Sequence, residues 1–206
     1  MKVIQIAGFL GSGKTTVLLS IAKSMGKDYG KKVAIIVNEI GSVPVDAKVL
    51  EQYGLKVSEL GGGCICCELL VGLADTLIRI REAVNPDIVL IEPTGVAIPD
   101  QIKDGINMGA SRSNFEAGPA VVLFDALIED ELINGDPMEN FIVRQMANAD
   151  IIAVNKIDAV DEDRIQFCEK RSREINANAR IIRLSALRGD GMDTLVSLLV
   201  GEGAAA

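Results

Sequence analysis

"GFLGSGKT", residues 8–15, fits the pattern G-x-x-x-x-G-K-[ST] at every fixed position. Before it runs "KVIQIAG", residues 2–8, a valine- and isoleucine-rich stretch that reads as a buried strand. After it, Lys14 to about Lys27 reads as a helix. A strand, a glycine-rich turn and a helix start together make a phosphate cradle. Glycines let backbone N–H groups curl around phosphate oxygens, and the helix N-terminus adds partial positive charge. Lys14 is placed to reach the β- and γ-phosphates of a nucleotide, and the Thr15 hydroxyl to ligate Mg²⁺. The candidate nucleotide-binding residues of this stretch are Gly8, Gly11, Ser12, Gly13, Lys14, Thr15 and Thr16.

Six further strands are expected from short apolar runs: "KKVAIIVN" (31–38), "GLKVSEL" (54–60), "DIVLIE" (87–92), "PAVVLFDA" (119–126), "ADIIAVNK" (149–156) and "ARIIRLS" (179–185). Their near-continuous apolarity suits strands covered on both faces. Helices are expected at Lys14–Lys27, Cys67–Ala83, Met138–Ala147, Asp161–Asn176 and Gly191–Leu199. The alternation predicts an α/β fold of the P-loop NTPase type, a mostly parallel sheet with helices on both faces. Residues 1–200 read as one domain and 201–206 as a mobile tail. The polar, glycine-rich stretch "DGINMGASRSNFEAG", residues 104–118, reads as a mobile loop.

Composition narrows the function. Hydrophobic residues make up 49% and aromatics 3% of 206 residues, so the core is aliphatic. A net charge of −8 argues against a nucleic-acid partner, which needs a basic face. No apolar run approaches a membrane span and no signal peptide is recognisable, so a cytoplasmic protein without a membrane partner is expected. Histidine is absent, so imidazole serves neither as base nor as ligand.

"DIVLIEPTG" ends a strand on Glu92, where a carboxylate can hold a water of the Mg²⁺ shell, and Gly95 lets a backbone N–H approach the γ-phosphate. "NKID", Asn155 to Asp158, follows another strand. A carboxylate only accepts hydrogen bonds, and guanine offers two donors side by side, so Asp158 selects guanine over adenine. The Lys156 stem is placed to cover the base, and Asn155 to tie this loop to the phosphate loop. Ser185, Ala186 and Leu187, at the next strand end, can offer a backbone N–H to guanine O6. The expected ligands are GTP and GDP, with Mg²⁺ as cofactor.

"GGGCICCELL", residues 61–70, holds three of the four cysteines. Cys64, Cys66 and Cys67 offer three soft thiolates, suited to Zn²⁺ or a similar ion and one short of a closed tetrahedral site. Water, a second subunit or Glu39 are candidates for the fourth position; apolar packing and a redox pair are the competing readings of the loop. Glu39 and Asp46 follow the second strand, and Glu39 is a candidate for Mg²⁺, the attacking water or the soft metal. Cys168 reads as a lone helical cysteine.

These motifs together resemble the CobW-like branch of the CobW/UreG/HypB group of GTPases. Gly8–Thr16, Asn38–Asp46, Gly63–Cys67, Glu92–Gly95 and Asn155–Asp158 match its motifs, and Phe124–Ala126 resembles its strand ending. Ile40 stands where phenylalanine is usual; many relatives carry a second domain and histidine-rich tracts, whereas these residues hold no histidine and are expected to form a G domain alone. The resemblance implies a GTPase that delivers, inserts or manages a metal or supports a metal cofactor. Lys14, Glu92 and Glu39 then form the catalytic set, a client apo-metalloprotein is implied, and homodimerisation in the GTP state is expected. Without histidine or an evident arginine finger, slow intrinsic turnover is expected. The alternatives are a zinc- or thiol-responsive regulatory switch and a chaperone for a corrinoid or other metalloenzyme.

Overall fold

The computed structural model describes residues 1–37, 56–59, 67–130 and 139–201, with the backbone alone at 56–59 and 67–71. Glu39, Asp46, Cys64, Cys66 and the segment 202–206 lie outside the described residues, as does the Cys67 side chain. Along the chain run β1 (Lys2–Gly8), α1 (Lys14–Lys27), β2 (Val33–Val37), β3 (Lys56–Glu59), α2 (Cys67–Ala83), β4 (Ile88–Glu92) and α3 (Pro99–Ala110). Then follow β5 (Glu116–Asp125), α4 (Glu139–Ala147), β6 (Ile151–Asn155), a 3₁₀ turn (Ile157–Ala159), α5 (Glu162–Ile175), β7 (Arg180–Arg183) and α6 (Met192–Val200).

The strands form one seven-stranded sheet in the order β3-β2-β4-β1-β5-β6-β7. Every pairing is parallel. Parallel strands need crossovers, and these place helices on both faces. Strand side chains alternate between the faces. Ile4 and Ile6 of β1 pack with Val17, Leu18 and Ile21 of α1 and with Leu195 and Leu199 of α6. On the other face, Val3 packs with Leu73 and Leu77 of α2 and Ile102 and Ile106 of α3, while Val122 and Phe124 pack with Ile142 of α4 and Cys168 of α5. Fully burying one such aliphatic side chain contributes about 1.5–3 kcal/mol.

Residues 104–118 depart from the sequence expectation. Residues 104–110 belong to α3 and residues 116–118 to β5, which leaves a short connection at 111–115. Ile102, Gly105, Ile106 and Gly109 form a buried helical stripe, and Pro99 occupies the first helical turn, where its missing N–H costs nothing. Gly109 has a packing role: a Cβ there would sit 2.6 Å from Phe115 Cζ and 3.2 Å from Ala74 Cα. Gly109, one of the glycines that suggested a loop, is therefore a point of close helix contact.

Because all strands run one way, the carboxyl ends of β1, β4, β5, β6 and β7 share one edge. β1 lies between β4 and β5, where the chain order reverses across the sheet. Open parallel sheets bind ligands in the crevice at such a point.

Candidate functional site

β1 ends in Gly8 with φ 143°, and the turn continues through Gly11 at 77° and Gly13 at 94°. Side chains rarely adopt these angles. Space adds to the restriction. A Cβ on Gly8 would lie 2.7 Å from Leu123 O, and one on Gly13 would lie 2.6 Å from Asn155 Nδ2. The Ser12 N–H donates to Phe9 O at 3.2 Å and closes the turn. Lys14 Nζ donates to Phe9 O at 3.2 Å, so the ammonium folds back over its own loop. Gly13 gives α1 no side-chain cap, and a helix start without such a cap suits an anion. Ser12 Oγ is buried and has no hydrogen-bond partner among the described residues. These features fit a phosphate chain.

The Thr15 hydroxyl donates to Glu92 Oε1 at 2.7 Å. Thr15 is half-buried and Glu92 is buried, so β4 and the start of α1 bring two hard oxygen donors together. That donor set fits Mg²⁺, which prefers a carboxylate or hydroxyl along with substrate phosphate oxygens. Beyond Glu92 the chain turns at Gly95, which lies against the phosphate loop: a Cβ there would meet Leu10 N at 3.1 Å.

The third group is built from β6 and β7. Asn155 Nδ2 donates to Ser12 O at 2.8 Å, and Asn155 Oδ1 accepts from the Ala186 N–H at 3.1 Å. One buried amide thus joins the phosphate loop, the loop after β6 and the loop after β7. Ser185 Oγ donates to Asp158 Oδ1 at 2.6 Å and accepts from the Arg188 N–H at 3.0 Å. The Ser185 hydroxyl holds the Asp158 carboxyl below the usual carboxylate range, against a smaller opposing effect of burial; the Asp158 backbone N–H and the Arg188 charge also lower it. Leu187 stands exposed beside this pair. Lys156 takes a left-handed φ of 67°, unusual for a side-chain residue, and its Nζ pairs with Asp125 Oδ2 at 2.6 Å.

Several contributors carry little or no signal in the sequence. Asp125 is visible there only as part of the "FDA" strand end, yet it fixes the Lys156 side chain. Arg164 of α5 donates to Ala126 O and Ile128 O and pairs with Asp130, which braces the loop after β5. Gln145 of α4 donates to Gly95 O and Ala97 O. Its one sequence signal is a polar side chain on the same helix face as Ile142 and Met146. Cys168 is buried and free, and burial pushes its thiol up to about 11, so it stays protonated. Among the described residues no cluster of three histidine, cysteine or acidic side chains forms, and no helix is long and apolar enough to cross a membrane.

Fold and site define a phosphate-loop α/β nucleotide-binding domain. The CobW/HypB/UreG nucleotide-binding domain model matches residues 2–183, and the chain belongs to that family. It is 35% identical over 191 residues to the zinc chaperone YeiR of Escherichia coli, covering 90% of this chain and 56% of that one. It is 25% identical to the zinc-regulated GTPase metalloprotein activator 1 of Dictyostelium discoideum, covering 86% of this chain and 44% of that one. The chain spans about half the length of these curated relatives. The hydrogenase maturation factor HypB of Archaeoglobus fulgidus shares the fold, with a TM-score of 0.70 at 20% identity, covering 98% of this chain and 90% of that one. The Zn(II)-bound YjiA GTPase of E. coli superposes with a TM-score of 0.59 at 26% identity, covering 88% of this chain and 56% of that one.

Proposed function

We propose that this domain binds and slowly hydrolyses GTP and uses its nucleotide state to control a metal ion held by Cys64, Cys66 and Cys67, as a metallochaperone. The observation that carries the nucleotide half is the Asn155 bridge, with Asp158 locked by Ser185 beside it. An oriented, ionised carboxylate matches the two adjacent donors of guanine. Ala186 spends its N–H on Asn155 Oδ1, which leaves the Leu187 N–H as the donor in this segment for guanine O6. Asp125 anchors the Lys156 ammonium so that its stem can lie over the base.

In hydrolysis a water oxygen bonds to the γ-phosphorus, the bond to the β–γ bridging oxygen breaks, and GDP leaves with that electron pair. The amides of residues 8–15 and the Lys14 ammonium stabilise the charge that moves onto the phosphate oxygens. Thr15 and Glu92 would hold Mg²⁺, which supplies Lewis-acid neutralisation of that charge when bound. Glu39 remains the candidate for the water or the metal.

The metal half of the proposal rests on ligand chemistry, on chain placement and on what the relatives are named for. The relative YeiR is a zinc chaperone, and the YjiA structure holds Zn(II). β3 ends at Glu59 and α2 begins at Cys67, so the cysteine segment is anchored between a strand's carboxyl end and a helix start. In this reading Zn²⁺ is the cargo, a second copy of the chain is the partner in the GTP state, and an apo-metalloprotein is the client. The test pairs GTP hydrolysis with zinc transfer to an apo-client. Lys14→Ala is expected to abolish hydrolysis and keep a wild-type thermal melt. Hydrolysis of ATP as fast as GTP would refute the guanine assignment. Zinc binding without transfer would favour the regulatory switch.

A further inference from the structure

Two buried glutamines fasten the segment that follows Glu92. Gln145 of α4 is 1% exposed, and its Nε2 donates to Gly95 O at 3.0 Å and to Ala97 O at 2.8 Å. Gln5 of β1 is 2% exposed and donates to Pro99 O at 3.1 Å. Three carbonyls within residues 95–99 are therefore held by side chains remote in sequence. A buried amide is costly unless its hydrogens are used, and two N–H bonds on one nitrogen match two carbonyls.

The geometry constrains Gly95 from both sides. The Thr94 carbonyl accepts from the Ala97 N–H at 3.0 Å, and the Gly95 carbonyl accepts from Gln145. Peptide units are planar and trans, so the Gly95 N–H points opposite to the Thr94 carbonyl, out of the turn. Gly95 also abuts Leu10 of the phosphate loop. The amides of residues 8–15 serve phosphates common to GDP and GTP. Gly95 comes from another strand end, next to the Thr15–Glu92 pair, and adds a donor only where a further phosphate reaches it.

We infer that Gln145 is a positioning residue for triphosphate recognition: by fixing the Gly95 and Ala97 carbonyls it aims the Gly95 N–H and so favours GTP over GDP. The inference rests on the nucleotide reading above. Gln145→Met keeps nearly the same volume and removes the two donors. Gln145→Asn keeps the amide but withdraws it by one methylene, and serves if the first variant does not fold. Fluorescent GDP and a fluorescent non-hydrolysable GTP analogue are titrated against the full chain and each variant. The analogue's affinity is expected to fall about ten-fold while GDP affinity stays within about two-fold. Equal losses for both ligands, or no loss for either, in a folded variant would overturn the inference and leave Gln145 a packing residue. A wild type that binds neither guanine nucleotide would refute the nucleotide reading, and this inference with it.

Discussion

In the proposed nucleotide site, Asp158 is both the base-reading group and a constrained one. Its carboxyl is set by the Ser185 hydroxyl at 2.6 Å, so its ionised form survives below the usual carboxylate range. Because the pKa is lowered, the charged form proposed to read guanine is present above the ordinary value and is lost only as pH falls through the lower folded value. Ser185→Ala removes the largest cause of the lowering. The acid limb of GDP binding should then move to higher pH, as read by fluorescent-nucleotide titration across the acid range. An unmoved limb would show that Asp158 is not the titrating group. Asp158→Asn should cost GTP about ten-fold or more in affinity and improve binding of xanthosine triphosphate, whose 2-oxo group accepts from the new amide. Unchanged base preference would remove Asp158 from base selection.

The elements owe their positions to backbone features as much as to apolar pattern. Gly191 precedes α6 at φ 74°, and a Cβ there would collide with Arg183 O, so the turn carrying Ser185 can close only around glycine. Gly191→Ala is expected to destabilise by more than about 2 kcal/mol, from left-handed strain plus the clash, with a matching drop in melting temperature. A melt within error of wild type would contradict the cap role. The strands were legible because isoleucine- and valine-rich runs between turn residues have few other uses in a chain this poor in aromatics. α1 and α2 were legible from their spacing, and the positions of the 8–15 turn and of the loops after β6 and β7 from their motifs. α3 was not. Its buried stripe includes Gly105 and Gly109, and at Gly109 the missing side chain, needed for close packing, looks like a loop signal. Gln145 and Arg164 were not legible either, because each acts on carbonyls about 35–50 residues away, which no local pattern encodes.

Across the whole molecule, the parallel sheet gathers the described residues of the proposed nucleotide site onto one edge and leaves the helices as the covering layers. Glu92 and Gly95 leave β4 on that edge, and β4 pairs with β2, which pairs with β3. β3 leads into the cysteine segment and β2 into the segment bearing Glu39. A change at the γ-phosphate therefore has a short covalent and hydrogen-bonded route to β3, one anchor of the proposed metal loop, and to β2, which leads into the Glu39 segment. Coupling free energy is reciprocal, so any effect of GTP on metal affinity must equal the effect of metal on GTP affinity. Acid should weaken the metal as the thiols regain protons. The decisive measurement is a chelator competition for Zn²⁺ on the full chain, held first by a non-hydrolysable GTP analogue and then by GDP, with Cys66→Ser as the site control. Zinc affinity is expected to differ between the two nucleotide states by about 5–150-fold and to collapse in Cys66→Ser; equal affinity in both states would contradict nucleotide control of the metal, and unchanged affinity in Cys66→Ser would remove the metal site.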